Sequence, residues 1–332
     1  MIAPEAYHNV RTWLAGCRQP LLLTHRRPDG DALGAMAAMT YALRALDLDP
    51  RPALYEPLPS RYALLARDVC WQLWASERAR LVAECDAVVV LDTCAWSQLE
   101  PVADYLRTAP RTLVIDHHPT RDVLGQRAGD LLLCDESAGA VCLLVAEWME
   151  TVGLPIEPPT ARALLTGLAT DCGWFRFANT DARLLNMAAR LAVAVPSIND
   201  IYRAIYEHDS PGKLRLIGRM LLSLELLAND KLAVLKLRQS DFAAAGADGT
   251  MTEDIVNEAG RLNGIEATVL FTEEPDGSVR VNFRSKQTLD VAALAAQFGG
   301  GGHQRAAGAR PHGSWDEVVA RVTAATAAAL RT

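Results

Sequence analysis

Short apolar runs that stop abruptly at charged side chains recur through the first half of the chain. Leu21-Leu22-Leu23 breaks into Thr24-His25-Arg26-Arg27-Pro28-Asp29-Gly30-Asp31, after which Met36, Met39 and Leu43 follow at helical spacing to about Leu46. This reads as strand, loop and helix. Ala87-Val88-Val89-Val90-Leu91 likewise ends at Asp92, and Thr112-Leu113-Val114-Ile115 ends at Asp116-His117-His118. Helical spacing predicts a first helix from Tyr7 to about Arg18, another from about Ser137 to Val152, and one after the Pro155 to Pro159 punctuation that carries Leu164 to Asp171. Near-continuous apolar strands alternating with helices describe a parallel sheet covered on both faces.

The second part of the chain has a different texture. From about Leu184 to Ala228 the pattern is helical, with breaks near Pro196 and near Ser210-Pro211-Gly212; the second break is the expected hinge. Strands are predicted over 232–237, 266–271 and 278–285, and Pro275-Asp276-Gly277 makes the last two an antiparallel hairpin. Gly299-Gly300-Gly301-Gly302-His303 follows, then an Ala-rich helix from Trp315 to Leu330. The predicted fold class is α/β: a parallel-sheet domain over 1–190, a helical linker over 191–215, and a smaller mixed-sheet α/β domain over 216–332, with a cleft between the two domains.

Composition narrows the partners. With 332 residues, half of them hydrophobic and 22% charged, the chain is long enough for two soluble domains with their own cores. A net charge of −7 argues against a broad electrostatic grip on long duplex nucleic acid, although a short anionic substrate in a local basic pocket remains allowed. The seven cysteines are scattered and form no C-x-x-C pair, which fits reduced thiols rather than a disulfide frame or a zinc finger. No basic-then-apolar leader and no membrane-length apolar run is visible, so a cytoplasmic protein without a membrane partner is expected.

The chemistry sits where the strands end. In an open parallel sheet, loops at the carboxyl ends of the strands project side chains into a crevice. His25, Asp29, Asp31, Asp92, His117 and Asp171 are therefore candidate metal ligands. Alone, the first motif also reads as an Asp29-Gly30 turn with Asp31 capping the next helix. Asp171, at the end of its helix, would be disfavoured by the dipole unless a cation sits against it. Two imidazoles and four carboxylates suit manganese, with magnesium as the alternative ion. Six ligands are too many for one ion and fit two ions sharing a bridging Asp; four aspartates are then balanced by two divalent charges, so metal removal is expected to destabilise the domain. Two ions about 3.5–4 Å apart steady the attacking and leaving oxygens of a phosphoryl displacement. His118 is suited to contact the substrate phosphate or protonate the departing oxygen, and Asp116 to orient an imidazole. Four consecutive glycines are costly to order, and a nest of backbone amides around a phosphate, with His303 and Arg305 adding donors, explains them.

His25-Arg26-Arg27-Pro28-Asp29-Gly30-Asp31, Asp92, Asp116-His117-His118 and Asp171, followed by Arg284-Ser285 and Gly299 to Ala307, resemble the motifs of the DHH phosphoesterase family with its associated C-terminal domain, in the family's order and over nearly the whole chain. Within it the chain is most similar to the nanoRNase and pAp phosphatase group. The resemblance implies two manganese ions, one on His25, Asp29 and Asp92 and the other on Asp31, Asp92, His117 and Asp171, with Asp92 as the bridge and a catalytic residue alongside His118. It further implies that Arg284, Ser285, Gly300, Gly301, Gly302, His303 and Arg305 surround the substrate's phosphate or terminal nucleotide, and that a homodimer is an expected assembly. The expected reaction is hydrolysis of short oligoribonucleotides to mononucleotides, with the 3′-phosphate of pAp as a further substrate. Linear or cyclic dinucleotides are the alternative substrates, and a non-catalytic nucleotide-binding regulator is the alternative of a different class. Ala35 and Cys172 depart from the family's usual residues, and a cysteine beside the site suggests sensitivity to oxidation.

Overall fold

Val, Leu and Ile crowd the predicted strand segments, and the computed structural model shows why: the strands Pro20–Leu23, Ala87–Leu91 and Thr112–Asp116 bury side chains on both of their faces. The structure describes residues 2–331 apart from 68, 120, 121, 208, 253 and 254, and leaves the side chain of residue 303 outside the described set. The chain divides into two compact units, Met1–His208 and Asp209–Thr332. The division falls inside the 191–215 stretch read as a linker.

The first unit runs α1 (Pro4–Leu14), β1 (Pro20–Leu23), α2 (Gly30–Arg44), β2 (Arg51–Leu54), β3 (Gln72–Leu73), α3 (Trp74–Glu84), β4 (Ala87–Leu91), α4 (Ala103–Thr108), β5 (Thr112–Asp116), β6 (Leu131–Cys134), α5 (Val141–Thr151), α6 (Pro158–Asp171), α7 (Ala182–Ala194) and α8 (Ile198–Tyr206). Its strands pair in the order β3-β2-β1-β4-β5-β6, all parallel. Leu22, Val89, Leu91, Leu113 and Ile115 point to one core, and Leu21, Leu23, Val88, Val90 and Val114 to the other. That alternation within an unbroken apolar run is the signature of a strand covered on both faces. Three short strands, β2, β3 and β6, were not legible in the sequence. Arg51-Pro52-Ala53-Leu54 carries a proline, and Gln72-Leu73 is too short to show a period.

The second unit comprises α9 (Pro211–Leu222), β7 (Glu225–Leu227), β8 (Leu232–Leu237), α10 (Gln239–Ala245), β9 (Ala267–Glu273), β10 (Val279–Ser285), α11 (Val291–Ala296), β11 (Gly301–His303), β12 (Ala306–Ala309) and α12 (Trp315–Ala329). Its sheet, β11-β12-β10-β9-β8-β7, is mixed: β8 and β9 are parallel and the other neighbours antiparallel, including the β9–β10 hairpin expected at Pro275-Asp276-Gly277. The helical pattern read through to Ala228 is corrected here. Ser223 Oγ donates to the Lys236 carbonyl and accepts from the Lys236 amide, ending α9, and Ala228, Asn229 and Asp230 all take left-handed backbone to turn β7 back onto β8.

The tetraglycine stretch, read as a nest of backbone amides, is in part a strand. Gly301–His303 is a strand hydrogen-bonded to β12, and a Cβ on Gly300 or Gly302 would lie 2.1 Å from the Gly308 carbonyl or 2.5 Å from the Ala306 carbonyl. Close approach of the two arms of this hairpin therefore demands glycine at both positions before any ligand is considered. Among the described residues no helix is long and apolar enough to cross a membrane.

Candidate metal centre

The strand order of the first unit reverses direction at β1 and β4, and the loops leaving those two strands diverge there to open a crevice. Thr24 Oγ1 donates to the Leu91 carbonyl at 2.8 Å, tying the ends of the two strands together. His25 and Asp92 follow immediately, with His25 Nε2 3.6 Å from Asp92 Oδ2. Asp92 is buried and adopts left-handed backbone, φ 64°, which is uncommon away from glycine and aims its carboxylate out of the strand's line.

The next loop delivers Asp29 and Asp31. Asp29, not Asp31, caps α2: its Oδ1 accepts from the amides of Asp31 and Ala32 at 3.0 and 3.1 Å. This corrects the capping role weighed for Asp31. Asp31 is instead fully buried on the first turn of α2, where its oxygens accept from the amides of Val141 and Cys142 at the start of α5, at 2.6 and 3.0 Å. It reaches that depth because α2 and α6 pack backbone against backbone. A Cβ on Gly34 would lie 2.5 Å from the Ala163 carbonyl, and one on Gly167 would lie 2.2 Å from Cys142 Sγ and 2.7 Å from Asp31 Oδ1. The same crossing carries Asp171, the last residue of α6, to the cluster.

From the end of β5, His117 completes the group. Its Nδ1 donates to the Ala138 carbonyl at 3.0 Å, which turns Nε2 toward Asp92 Oδ1 (3.4 Å), Asp31 Oδ2 (3.9 Å) and Asp171 Oδ2 (4.0 Å). Three sets of potential ligand atoms each fall within 4.8 Å: His25, Asp29 and Asp92; Asp31, His117 and Asp171; and Asp92, His117 and His118. All six side chains singled out as ligands are thus brought together. Asp116 is held back from the cluster, accepting from the amides of His117 and His118 and from His118 Nδ1, the last at 2.8 Å.

The electrostatics describe a site short of positive charge. Burial first, and then the Asp92 charge, push the Asp31 carboxyl up to about 7. Burial and the Asp31 charge hold Asp171 well above the ordinary carboxylate range. Burial opposes charge on Asp92 too, but the imidazoles of His117 and His25 hold its carboxyl below the usual range. For His117 burial acts downward, and Asp92, Asp31 and Asp171 overcome it and lift the imidazole to about 10. Asp92 Oδ1 and His117 Nε2 are buried without a hydrogen-bond partner among the described residues. An orphaned carboxylate oxygen facing an orphaned imidazole nitrogen 3.4 Å away is what a divalent cation between them satisfies. Carboxylate and imidazole donors without thiolate suit manganese or magnesium rather than a structural zinc.

Several contributors to the centre were missed in the sequence: the Ala138 carbonyl, the Val141 and Cys142 amides, and Asn179, whose Nδ2 donates to Asp171 Oδ2 at 3.2 Å. Backbone groups carry no residue-type signal, and Asn179, in the polar Asn179-Thr180-Asp181 break before α7, has nothing in its spacing to mark it. Cys172 is fully buried, so the oxidation sensitivity suggested for it is not supported by its surroundings.

In the second unit, Arg284 and Ser285 end β10 beside the β11–β12 hairpin. The Ser285 amide donates to the Arg305 carbonyl at 3.0 Å, Ser285 Oγ and Arg305 Nη1 both donate to the Leu289 carbonyl at 2.6 and 3.0 Å, and Arg284 Nε donates to Asn257 Oδ1 at 3.0 Å. Arg284, Ser285, Arg305 and Gly300 to Gly302 therefore share one end of that sheet; the His303 side chain lies outside the described residues.

Comparison with known proteins places this geometry. The DHH family N-terminal domain matches residues 21–168 and the DHHA1 domain matches residues 229–330. The chain is 29% identical over 303 residues to the bifunctional oligoribonuclease and PAP phosphatase NrnA of Bacillus subtilis, covering 90% of each chain. It is 28% identical over 292 residues to the protein of the same name from Thermus thermophilus, covering 87% of this chain and 82% of that one. Its fold matches the crystal structure of an exopolyphosphatase-related protein from Bacteroides fragilis at a TM-score of 0.91, with 21% identity, over 100% of this chain and 97% of the other. The two domain matches in series, with five of the six cluster residues inside the first and Asp171 just past its end, make the chain a member of the DHH phosphoesterase family.

Proposed function

We propose that this phosphoesterase hydrolyses short oligoribonucleotides to mononucleotides, and the 3′-phosphate of pAp, with two manganese ions. The observation that carries the reading is the pair of orphaned atoms, Asp92 Oδ1 and His117 Nε2, at the junction of two ligand triads. His25, Asp29 and Asp92 would hold one ion, and Asp31, Asp92, His117 and Asp171 the other. When bound, the two ions polarise the scissile phosphoryl group and steady the attacking and leaving oxygens.

The chain's own groups supply orientation and a proton. The Ala138 carbonyl fixes the His117 tautomer, and Val141 and Cys142 fix Asp31. Burial works against charge on His118, but its hydrogen bond to Asp116 and the Asp92 charge raise its pKa above the ordinary value, which favours the protonated imidazole as donor to the departing oxygen. Arg284, Ser285, the Gly300 to Gly302 backbone, His303 and Arg305 are proposed to hold the substrate phosphate or terminal nucleotide. Similarity over most of the chain to relatives named as oligoribonucleases and PAP phosphatases supports this substrate class.

The test is a panel of labelled RNAs from two to about twenty nucleotides, with pAp and linear and cyclic dinucleotides, assayed with manganese and compared by kcat/KM. Values highest for the shortest RNAs, and measurable for pAp, are expected. Equal values across the RNA lengths would remove the short-substrate claim, and a clear preference for cyclic dinucleotides would replace it.

A further inference from the structure

The segment from Ala138 to Cys142 contributes no ligand, yet its backbone touches two of the proposed ones. Its Ala138 carbonyl orients His117, and its Val141 and Cys142 amides hold Asp31. A third link is a single side chain. Asn179 Nδ2 donates to the Gly139 carbonyl at 2.9 Å, and also to Asp171 Oδ2 at 3.2 Å and the Asp171 carbonyl at 3.3 Å. The approach is close: a Cβ on Gly139 would lie 2.5 Å from the Asn179 carbonyl. His117, Asp31 and Asp171 form one ligand triad, and none of these contacts reaches His25 or Asp29.

We propose that Asn179 is a positioning residue that fastens Asp171 to the 138–142 segment and thereby sets the affinity of the Asp31–His117–Asp171 half of the centre, leaving the His25–Asp29–Asp92 half unaffected. The inference rests on the two-ion reading above. An amide suits the task because its NH2 group can serve carbonyl and carboxylate acceptors at once, whereas a carboxylate in its place would repel Asp171. Asn179 is exposed, so truncating its side chain opens no cavity in the core.

The experiment titrates Mn2+ calorimetrically into chelator-stripped full-length protein, as wild type, Asn179→Ala and Gly139→Ala, with melting curves of each metal-free form. Wild type is expected to show two binding events. In Asn179→Ala one event weakens by about 10–100-fold, the loss typical when a group that orients a ligand is removed, while the other holds within about two-fold. Gly139→Ala, which pushes the same contact apart from its other side, weakens the same event, and the metal-free melting temperature of Asn179→Ala stays at the wild-type value. Equal weakening of both events, or no change in either, overturns the role of Asn179. A wild type that takes up a single ion overturns the two-ion reading itself, and the selectivity claimed for Asn179 with it.

Discussion

At the scale of single residues, the centre crowds buried carboxylates against one another. Four aspartates meet with two imidazoles, and burial first, then repulsion from the neighbouring carboxylates, raises the carboxyls of Asp31, Asp171 and Asp29. Asp171→Asn is therefore expected to raise the melting temperature of the metal-free protein, by about 2–4 °C for each kcal/mol of repulsion relieved, while shrinking the stabilisation that manganese provides. Differential scanning calorimetry with and without metal measures both; a lower metal-free melting temperature contradicts the repulsion. The pH dependence has a definite sign. Asp31 has its folded pKa raised from the ordinary 3.8 to about 7, so its contribution to stability is fully present below the ordinary value and is lost as pH rises through about 7. His117, raised to about 10, acts in the same direction, losing its contribution as pH climbs toward that value. Thermal scans of the metal-free protein between pH 5 and pH 8 are expected to show falling stability, and saturating manganese should flatten the trend; a rise with pH would contradict it. The side chains of this centre were legible because each one follows the break of an apolar strand or ends a helix. The groups that aim them were not: a carbonyl at Ala138 or an amide at Cys142 acquires its role only when a distant loop comes to rest against it.

At the scale of elements, the depth of Asp31 depends on how closely α2 and α6 approach. The small residues Gly30, Gly34 and Gly167 line that crossing, and the Cβ that alanine would add at Gly167 lands on Asp31 and Cys142. Gly167→Ala is expected to destabilise the first unit by about 1–3 kcal/mol, the usual cost of overpacking a filled core, and to weaken manganese binding as well. Chemical denaturation and metal titration of the same variant check the two effects; an unchanged denaturation midpoint would show that the crossing has slack. Outside the crossing, Arg183 on α7 binds Asp135 at 2.8 Å and Glu147 on α5 at 2.6 Å, bracing the stretch that leads into the 138–142 segment. The strands that begin from β-branched runs were readable one by one. Those that exist because a neighbour pairs with them, such as β7 and the glycine-rich β11, were not, since their composition by itself favours helix or loop.

At the scale of the whole molecule, two units divide the proposed labour: the first unit holds the metals, and the second gathers Arg284, Ser285, Arg305 and the glycine hairpin at one end of its mixed sheet. His303→Ala is expected to raise KM more than it lowers kcat and to leave the manganese content of the protein unchanged. Steady-state kinetics beside elemental analysis separate the two, and loss of bound manganese in that variant would place His303 at the metals instead. The α/β class and the mixed second sheet were legible from the change in texture along the chain, because long parallel runs and a tight Pro-Asp-Gly hairpin impose different spacings of apolar residues. The most direct test of the central claim is anomalous diffraction from crystals of the manganese-loaded protein. Two manganese peaks about 3.5–4 Å apart, bridged by Asp92 and flanked by the other five side chains, are expected. A single peak, or peaks away from Asp92, would contradict the two-ion centre.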